Sequence, residues 1–220
     1  NKDLIFSPGT DIKYSDLGMI LLGEIIGIVQ DKPLDKLSQQ YVFSPFGMKN
    51  TFYNPKEEIK KKIVPTEIDN RFRNRLIQGE VHDENAFILG GIAPHAAVFS
   101  NAQEIGQYFQ MLLNGGTWLG KRYFRQSIIQ EFTQRQNIPE DTDRAIGFDT
   151  PSQNGKSSAG DFFGPNSFGH LGFTGTSVWV DPEDEKIIVL LTNRVYPTRD
   201  KKGIYQARRR FYNSVMKLIQ

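Results

Sequence analysis

The chain has 220 residues, 38% of them hydrophobic and 24% charged, a globular composition with enough apolar material for one core, which excludes a chain disordered throughout. Its 27 Lys and Arg against 25 Asp and Glu leave a formal charge of +2, which excludes a strong electrostatic footprint for nucleic acid or an anionic membrane. Cysteine is absent, so thiol catalysis, Cys-ligated zinc and disulfides are excluded, while the compartment stays open.

The opening Asn1-Lys2-Asp3-Leu4-Ile5-Phe6-Ser7-Pro8-Gly9 has no initiator Met and no signal-peptide pattern, and reads like the interior of a longer protein. No stretch approaches the roughly 20 apolar residues of a membrane-spanning helix. Beyond the turn-like Ser7-Pro8-Gly9-Thr10, residues Leu17, Ile20, Leu21, Ile25, Ile28 and Val29 recur at helical spacing behind Asp16 as N-cap, and predict a buried helix. A second helix starts near Pro33, carries Leu34, Leu37, Tyr41 and Val42 on one face, and stops at Ser44-Pro45-Phe46-Gly47. Residues 49–86 carry little regular pattern. A Gly-rich apolar stretch over 87–93 leads through Val98-Phe99 to Ser100-Asn101-Ala102-Gln103, a capping-box signature for a helix with Ile105, Phe109, Leu112 and Leu113 that ends at Gly115-Gly116.

A short helix around 127–134 precedes a Ser/Gly/Asn loop over 151–160. The clearest strands come last: 176–180 and 186–192 flank Asp181-Pro182-Glu183-Asp184-Glu185 as an antiparallel hairpin, which 168–173 enters. A C-terminal helix over about 204–219, with Ile204, Ala207, Phe211, Val215 and Leu218 along one stripe, packs on that sheet. The basic runs 57–62 and 207–210 read as solvated faces.

Two short segments carry most of the chemical signal. One is Tyr14-Ser15-Asp16 ahead of the first helix, and the other is His170-Leu171-Gly172-Phe173-Thr174-Gly175, which opens a strand continuing to Asp181-Pro182. In combination they resemble the Tyr-x-Asn and Lys/His-Thr-Gly boxes of the serine β-lactamase-like family, which includes class C β-lactamases, D-alanyl-D-alanine carboxypeptidases and related esterases. Between the boxes, Phe43-Ser44-Pro45-Phe46-Gly47-Met48-Lys49-Asn50-Thr51 resembles the family's Pro-Leu-Gly-Met-x-x-Thr segment. Residues 79–86 through 95–100 resemble a subgroup of penicillin-binding-protein-like carboxypeptidases and of β-lactamase-like domains attached to glycoside hydrolases. The likeness runs along nearly the whole chain, in order.

The resemblance implies an α+β fold of the β-lactamase/transpeptidase type, present in part: one domain's C-terminal portion, mainly helical over 14–145, with the sheet and last helix over 146–220. It implies acyl transfer through a serine acyl-enzyme, an extracytoplasmic location, no cofactor, and Tyr14 and His170 as catalytic residues. Asp16, Gly172, Phe173 and Thr174 become the candidate substrate-binding residues. The chemistry of these residue types agrees. A phenol of ordinary pKa near 10 accepts a serine proton at neutral pH only when nearby cations favour its phenolate. Gly172 lets substrate lie close to the strand, and the Phe173 N–H can donate to an oxyanion.

Two departures and one gap qualify the likeness. Asp16 stands where the family usually has Asn, so an ionised side chain accepts where an amide would donate. His170 stands for Lys and offers less permanent charge. The nucleophile box should precede Tyr14, and residues 1–13 hold no Ser-x-x-Lys; Ser214-Val215-Met216-Lys217 has the pattern but lies in the last amphipathic helix, where chance accounts for it. The isolated chain is therefore expected to be inert and to expose apolar sheet surface and an open sheet edge, so that it dimerises, swaps elements or needs the missing N-terminal portion. A rival reading is a non-catalytic module binding a peptidoglycan-like ligand or a partner domain. His82-x-Glu84 with His95 suggests zinc but lacks the Cys pair of the deaminase signature, so no metal is assigned. Gly90-Gly91 and Gly115-Gly116 lack the Gly spacing and Lys of a phosphate loop.

Overall fold

A computed structural model describes residues 3–153, 155 and 157–219. The first helix, α1 (Asp16–Gln30), is capped by Ser15, whose Oγ accepts from Gly18 N–H at 3.4 Å. Asp16, expected as the cap, is instead the first helical residue, where a negative charge suits the helix dipole. Helix α2 (Leu34–Ser38) runs into a π-helical turn (Gln39–Phe43) that buries Phe43. The patternless region holds α3 (Glu57–Lys60) and an antiparallel pair, β1 (Glu67–Asp69) with β2 (Arg75–Ile77). The strands are three residues long, too short for alternation to show in sequence. Their turn is held by Asp69, whose carboxylate accepts from the N–H groups of Arg71, Phe72 and Arg73.

Asp83 caps α4 (Glu84–Ile88), accepting from Ala86 N–H at 2.8 Å. Asn101 caps α5 (Ala102–Leu113), one residue beyond the Ser100 of the expected box. A small ribbon, β3 (Thr117–Trp118) with β4 (Lys121–Arg122), and α6 (Gln126–Thr133) follow. The expected hairpin forms as β6 (Ser177–Asp181) and β7 (Lys186–Leu190), joined by β5 (Phe168–Leu171) into an antiparallel sheet of order β5-β6-β7. The chain closes on α7 (Ile204–Leu218).

Alternation along the strands divides the sheet's side chains between two cores. Phe168, Val178, Val180, Ile187 and Val189 meet Phe43, Phe46, Phe109 and Met111 from the α5 side. Trp179, Ile188 and Leu190 meet Phe163, Tyr212 and Met216 from the α7 side. Both faces are thus covered, against the expectation of exposed sheet surface; the edge expectation fits better, since β7 pairs with β6 alone among the described residues.

Two amphipathic readings are corrected. The buried stripe of α7 is Arg208, Tyr212 and Met216, one residue out of phase with the expected one, because Arg208 turns inward to donate to Gly172 O and Thr176 O, both at 2.7 Å. The run 207–210 is therefore only partly a solvated face. Helix α1, expected to be buried, exposes Leu21 (63%), Ile28 (77%) and Val29 (71%), and only Gly23 is buried. A Cβ on Gly23 would lie 2.7 Å from Pro94 Cγ, so glycine there lets α1 seat against the 91–97 loop. The hydrophobicity that suggested burial is real, and among the described residues little covers it.

Candidate functional site

The two boxes meet in space. Tyr14, in the extended segment before the Ser15 cap, has its ring 6.4 Å from that of His170, centroid to centroid, at an interplanar angle of 27°. His170 lies on β5 opposite Val178, so its position is set by sheet register rather than by a loop. Gly172, Phe173 and Thr174 follow in the turn between β5 and β6, closed by Gly172 N–H to Thr176 O at 2.8 Å and Gly175 N–H to Gly172 O at 3.0 Å. Any Cβ on Gly172 would lie 2.1 Å from Thr176 Oγ1, so the turn closes this tightly only with glycine. Asp16, the first residue of α1, lies two residues beyond Tyr14, with carboxylate and imidazole atoms of Asp83 and His95 within 4.8 Å of its own.

Arg194 fastens the outer side of the turn. Its Nε donates to Phe173 O at 2.7 Å, its backbone N–H to Thr174 O at 2.9 Å, and its guanidinium lies 4.3 Å from the centre of the exposed Phe173 ring. The opposite face of that turn reaches His82, whose ring stacks on Phe173 at 5.8 Å and 23°. His82 Nε2 is 2.8 Å from Glu67 Oε2, and Glu67 also receives Arg199 through its backbone N–H (2.7 Å) and guanidinium (2.7 Å). Burial alone would raise the Glu67 carboxyl, but the hydrogen bonds from Arg199 and His82 outweigh it and hold the group down to about 2.

At Tyr14 the balance is different. Partial burial raises the phenol above its ordinary value, the Arg144 guanidinium opposes this, and Asp149 and Asp16 add to the rise. The Arg144 Cζ lies 4.9 Å from the Tyr14 ring centre, and Arg144 is ion-paired with Asp149.

The three residues weighed for zinc part company. His82 joins Glu67 and Arg199, Glu84 pairs with Arg199 at 2.8 Å, and His95 Nε2 donates to the Asp83 carboxylate, 2.9 Å from its Oδ1. Asp83 is held below the ordinary carboxylate range, because the Ala86 N–H and His95 outweigh the effect of its burial. His95 Nδ1 is buried without a partner, whereas a metal on Nε2 needs that outer nitrogen hydrogen-bonded. Asp83 caps α4 and pairs with His95, Asp16 opens α1 where its charge suits the helix dipole, and we assign no metal to the three.

Sequence reading missed Arg144, Arg194 and Arg208. Arg208 was concealed in a basic run, and Arg194 in the segment after the last strand. Arg144 sits in a stretch without periodicity, so only the fold brings it to the tyrosine.

A family model for Beta-lactamase matches residues 1–212. A Salmonella agona protein carrying the provisional name D-alanyl-D-alanine carboxypeptidase is 34% identical over 208 residues, covering 87% of this chain and 47% of its own length. A Salmonella newport protein of the same name is 33% identical with the same coverage. The chain thus spans about half the length of the curated relatives it matches. Among solved structures, a β-lactamase from Mycobacterium bovis superposes with a TM-score of 0.68 at 17% identity, over 97% of this chain and 66% of that one. EstCE1, titled a hydrolase with promiscuous acyltransferase activity, superposes at 0.65 and 18%, over 96% and 58%. A penicillin-binding-protein homologue from Caulobacter crescentus gives 0.58 and 17%, over 79% and 50%. The fold is that of the β-lactamases and transpeptidases, present in part.

The chain belongs to the β-lactamase family of serine hydrolases, the group that also takes in carboxypeptidase-like members. No helix among the described residues is long and apolar enough to cross a membrane.

Proposed function

We propose that the complete protein transfers an acyl group through a serine acyl-enzyme, acting on a peptide, ester or β-lactam related to cell-wall D-alanyl peptides, outside the cytoplasm. The observation that carries the reading is the adjacency of the Tyr14 and His170 rings, 6.4 Å apart although they are far apart in the chain. In this reading residues 1–220 form the C-terminal portion of one catalytic domain, and the nucleophilic serine with its lysine lies outside them or on another chain. Tyr14 takes the serine proton as the nucleophile attacks the substrate carbonyl, and returns it to the leaving group as the acyl-enzyme forms. His170 adds positive charge beside the phenol when protonated. The Phe173 N–H faces the developing oxyanion, Gly172 leaves room for substrate along β5, and Asp16 and Thr174 contact the substrate or the absent lysine.

Ser214 does not compete for the nucleophile's place. It lies on the exposed side of α7, and Lys217 of the same pattern sits over the Phe162 ring, 5.5 Å from its centre. This chain alone is inert in our reading.

A fluorescent penicillin and a fluorophosphonate probe test the proposal on the full-length parent. We expect labelling at a serine upstream of Asn1, reduced about 100-fold or more in rate by Tyr14→Phe, the usual weight of a general base. Reversible binding without acylation would replace the enzyme by a ligand-binding module. Labelling at Ser214 would overturn the assignment of both boxes.

A further inference from the structure

We infer that Arg144 is a positioning residue for the reaction, a fixed cation held against the face of Tyr14 that favours its phenolate. The inference rests on the reading of Tyr14 as the proton acceptor. Two observations carry it: the 4.9 Å approach of the Arg144 Cζ to the Tyr14 ring centre, and the way Arg144 is tied to the strand that bears His170.

That tie is built of backbone. Asp149 and Gly169 exchange hydrogen bonds, Asp149 N–H to Gly169 O at 2.8 Å and Gly169 N–H to Asp149 O at 2.9 Å, so Asp149 lies beside β5 one residue from His170, and Arg144 is bridged to Asp149 across the turn. The turn closes on itself through Ala145 N–H to Phe148 O at 2.9 Å, and Arg144 O accepts from Gln136 N–H at 2.9 Å. Asp149 then pairs with the Arg144 side chain and fixes the guanidinium on the tyrosine side. One strand therefore delivers both His170 and, through Asp149, Arg144 to the same phenol.

The chemistry follows from the geometry. A phenolate spreads its charge into the ring, so a cation over the ring face is attracted more strongly to the ionised form than to the neutral one. A guanidinium stays protonated throughout the working range, whereas an imidazole does not. Among the described residues, the charged or titratable groups that face Tyr14 are Arg144 and Asp149 from the 144–149 turn, Asp16 from α1, and His170 from β5. The two carboxylates oppose ionisation of the phenol. Arg144 is the permanent positive charge in this set, and it compensates for His170 standing where the resembling enzymes have lysine.

The test reads the tyrosine directly and needs no catalysis. The chain is labelled with 13Cζ-tyrosine, the Tyr14 resonance is identified among the 8 tyrosines by Tyr14→Phe, and its titration is followed by NMR. Arg144→Gln is expected to move the Tyr14 midpoint upward by on the order of half a pH unit or more, the size of a screened charge interaction at this range. Arg144→Lys, which keeps the positive charge, should reverse most of that shift. The inference is overturned if Arg144→Gln leaves the midpoint unchanged while the other tyrosine resonances show an intact fold. It is overturned equally if Arg144→Lys behaves like Arg144→Gln in a folded chain, since that would make the arginine a packing residue. Full-length protein that acylates normally with Tyr14→Phe would end the functional reading instead, without touching this titration.

Discussion

Replacing Glu67 by Gln removes the carboxylate on which Arg199 and His82 converge, and leaves a guanidinium and an imidazole facing a neutral amide. The Glu67 side chain is only 4% exposed, so water cannot take over its role. Removing one member of a buried charge pair costs about 3–5 kcal/mol. The carboxyl's displacement from 4.5 to about 2 corresponds independently to about 3 kcal/mol. For a domain of this size, about 3 kcal/mol lowers Tm by roughly 6–12 °C. The sign in pH is fixed by the direction of the shift. A carboxyl depressed in the folded state stabilises fully above its unfolded value, and that stabilisation is lost as pH falls through the folded value. The gap between the natural chain and Glu67→Gln should therefore be complete at pH 7 and fall to about half or less at pH 3. Urea denaturation followed by far-UV circular dichroism at pH 7, 5, 4 and 3 measures it. A gap of equal size at pH 7 and pH 3, or one below about 1 kcal/mol at pH 7, would refute the reasoning.

The remaining predictions concern the turn, a buried acid and the open helix. Gly172→Ala should cost about 1–3 kcal/mol through the clash with Thr176 Oγ1, and adding Thr176→Ala should recover most of it; a double variant no more stable than the single one would show that the clash is not the cause. Glu104, buried and accepting from Asn50 N–H, Asn50 Nδ2 and Thr51 Oγ1, anchors the 48–51 turn to α5. Glu104→Ala should therefore lower stability by about 2–4 kcal/mol, read as a urea midpoint. The apolar face of α1 should make the isolated chain associate with rising concentration in sedimentation velocity, and Leu21→Lys with Ile28→Lys should reduce this without lowering Tm. A chain that stays monomeric throughout would mean that the open face is tolerated in water. Asp69, Asp83 and Glu104 are all held below the usual carboxylate range, since their hydrogen bonds outweigh burial, so stability should decline together as pH drops below that range.

By itself the sequence determined the elements whose signals are local. The β6–β7 hairpin announced itself by two apolar runs around an acidic, Pro-containing turn, and α5 by a capping signal and a helical stripe. The order of the Tyr14 and His170 boxes was likewise legible, because each box is contiguous in the chain. Tertiary structure decided what depends on neighbours distant in sequence. Arg208 was assigned to water on the strength of its charge, yet its Nη2 donates to two carbonyl oxygens of the Gly172–Thr176 turn inside, while its Nε is buried without a partner. Helix α1 was assigned to the core on the strength of its hydropathy, yet hydropathy records a preference for burial and not the presence of something to be buried against. Arg144 reaches Tyr14 only because Asp149 is laced to β5, a pairing between stretches that carry no pattern in common. Periodicity along the chain reports which side chains avoid water, while the charges that surround a tyrosine are set by which strands happen to lie side by side.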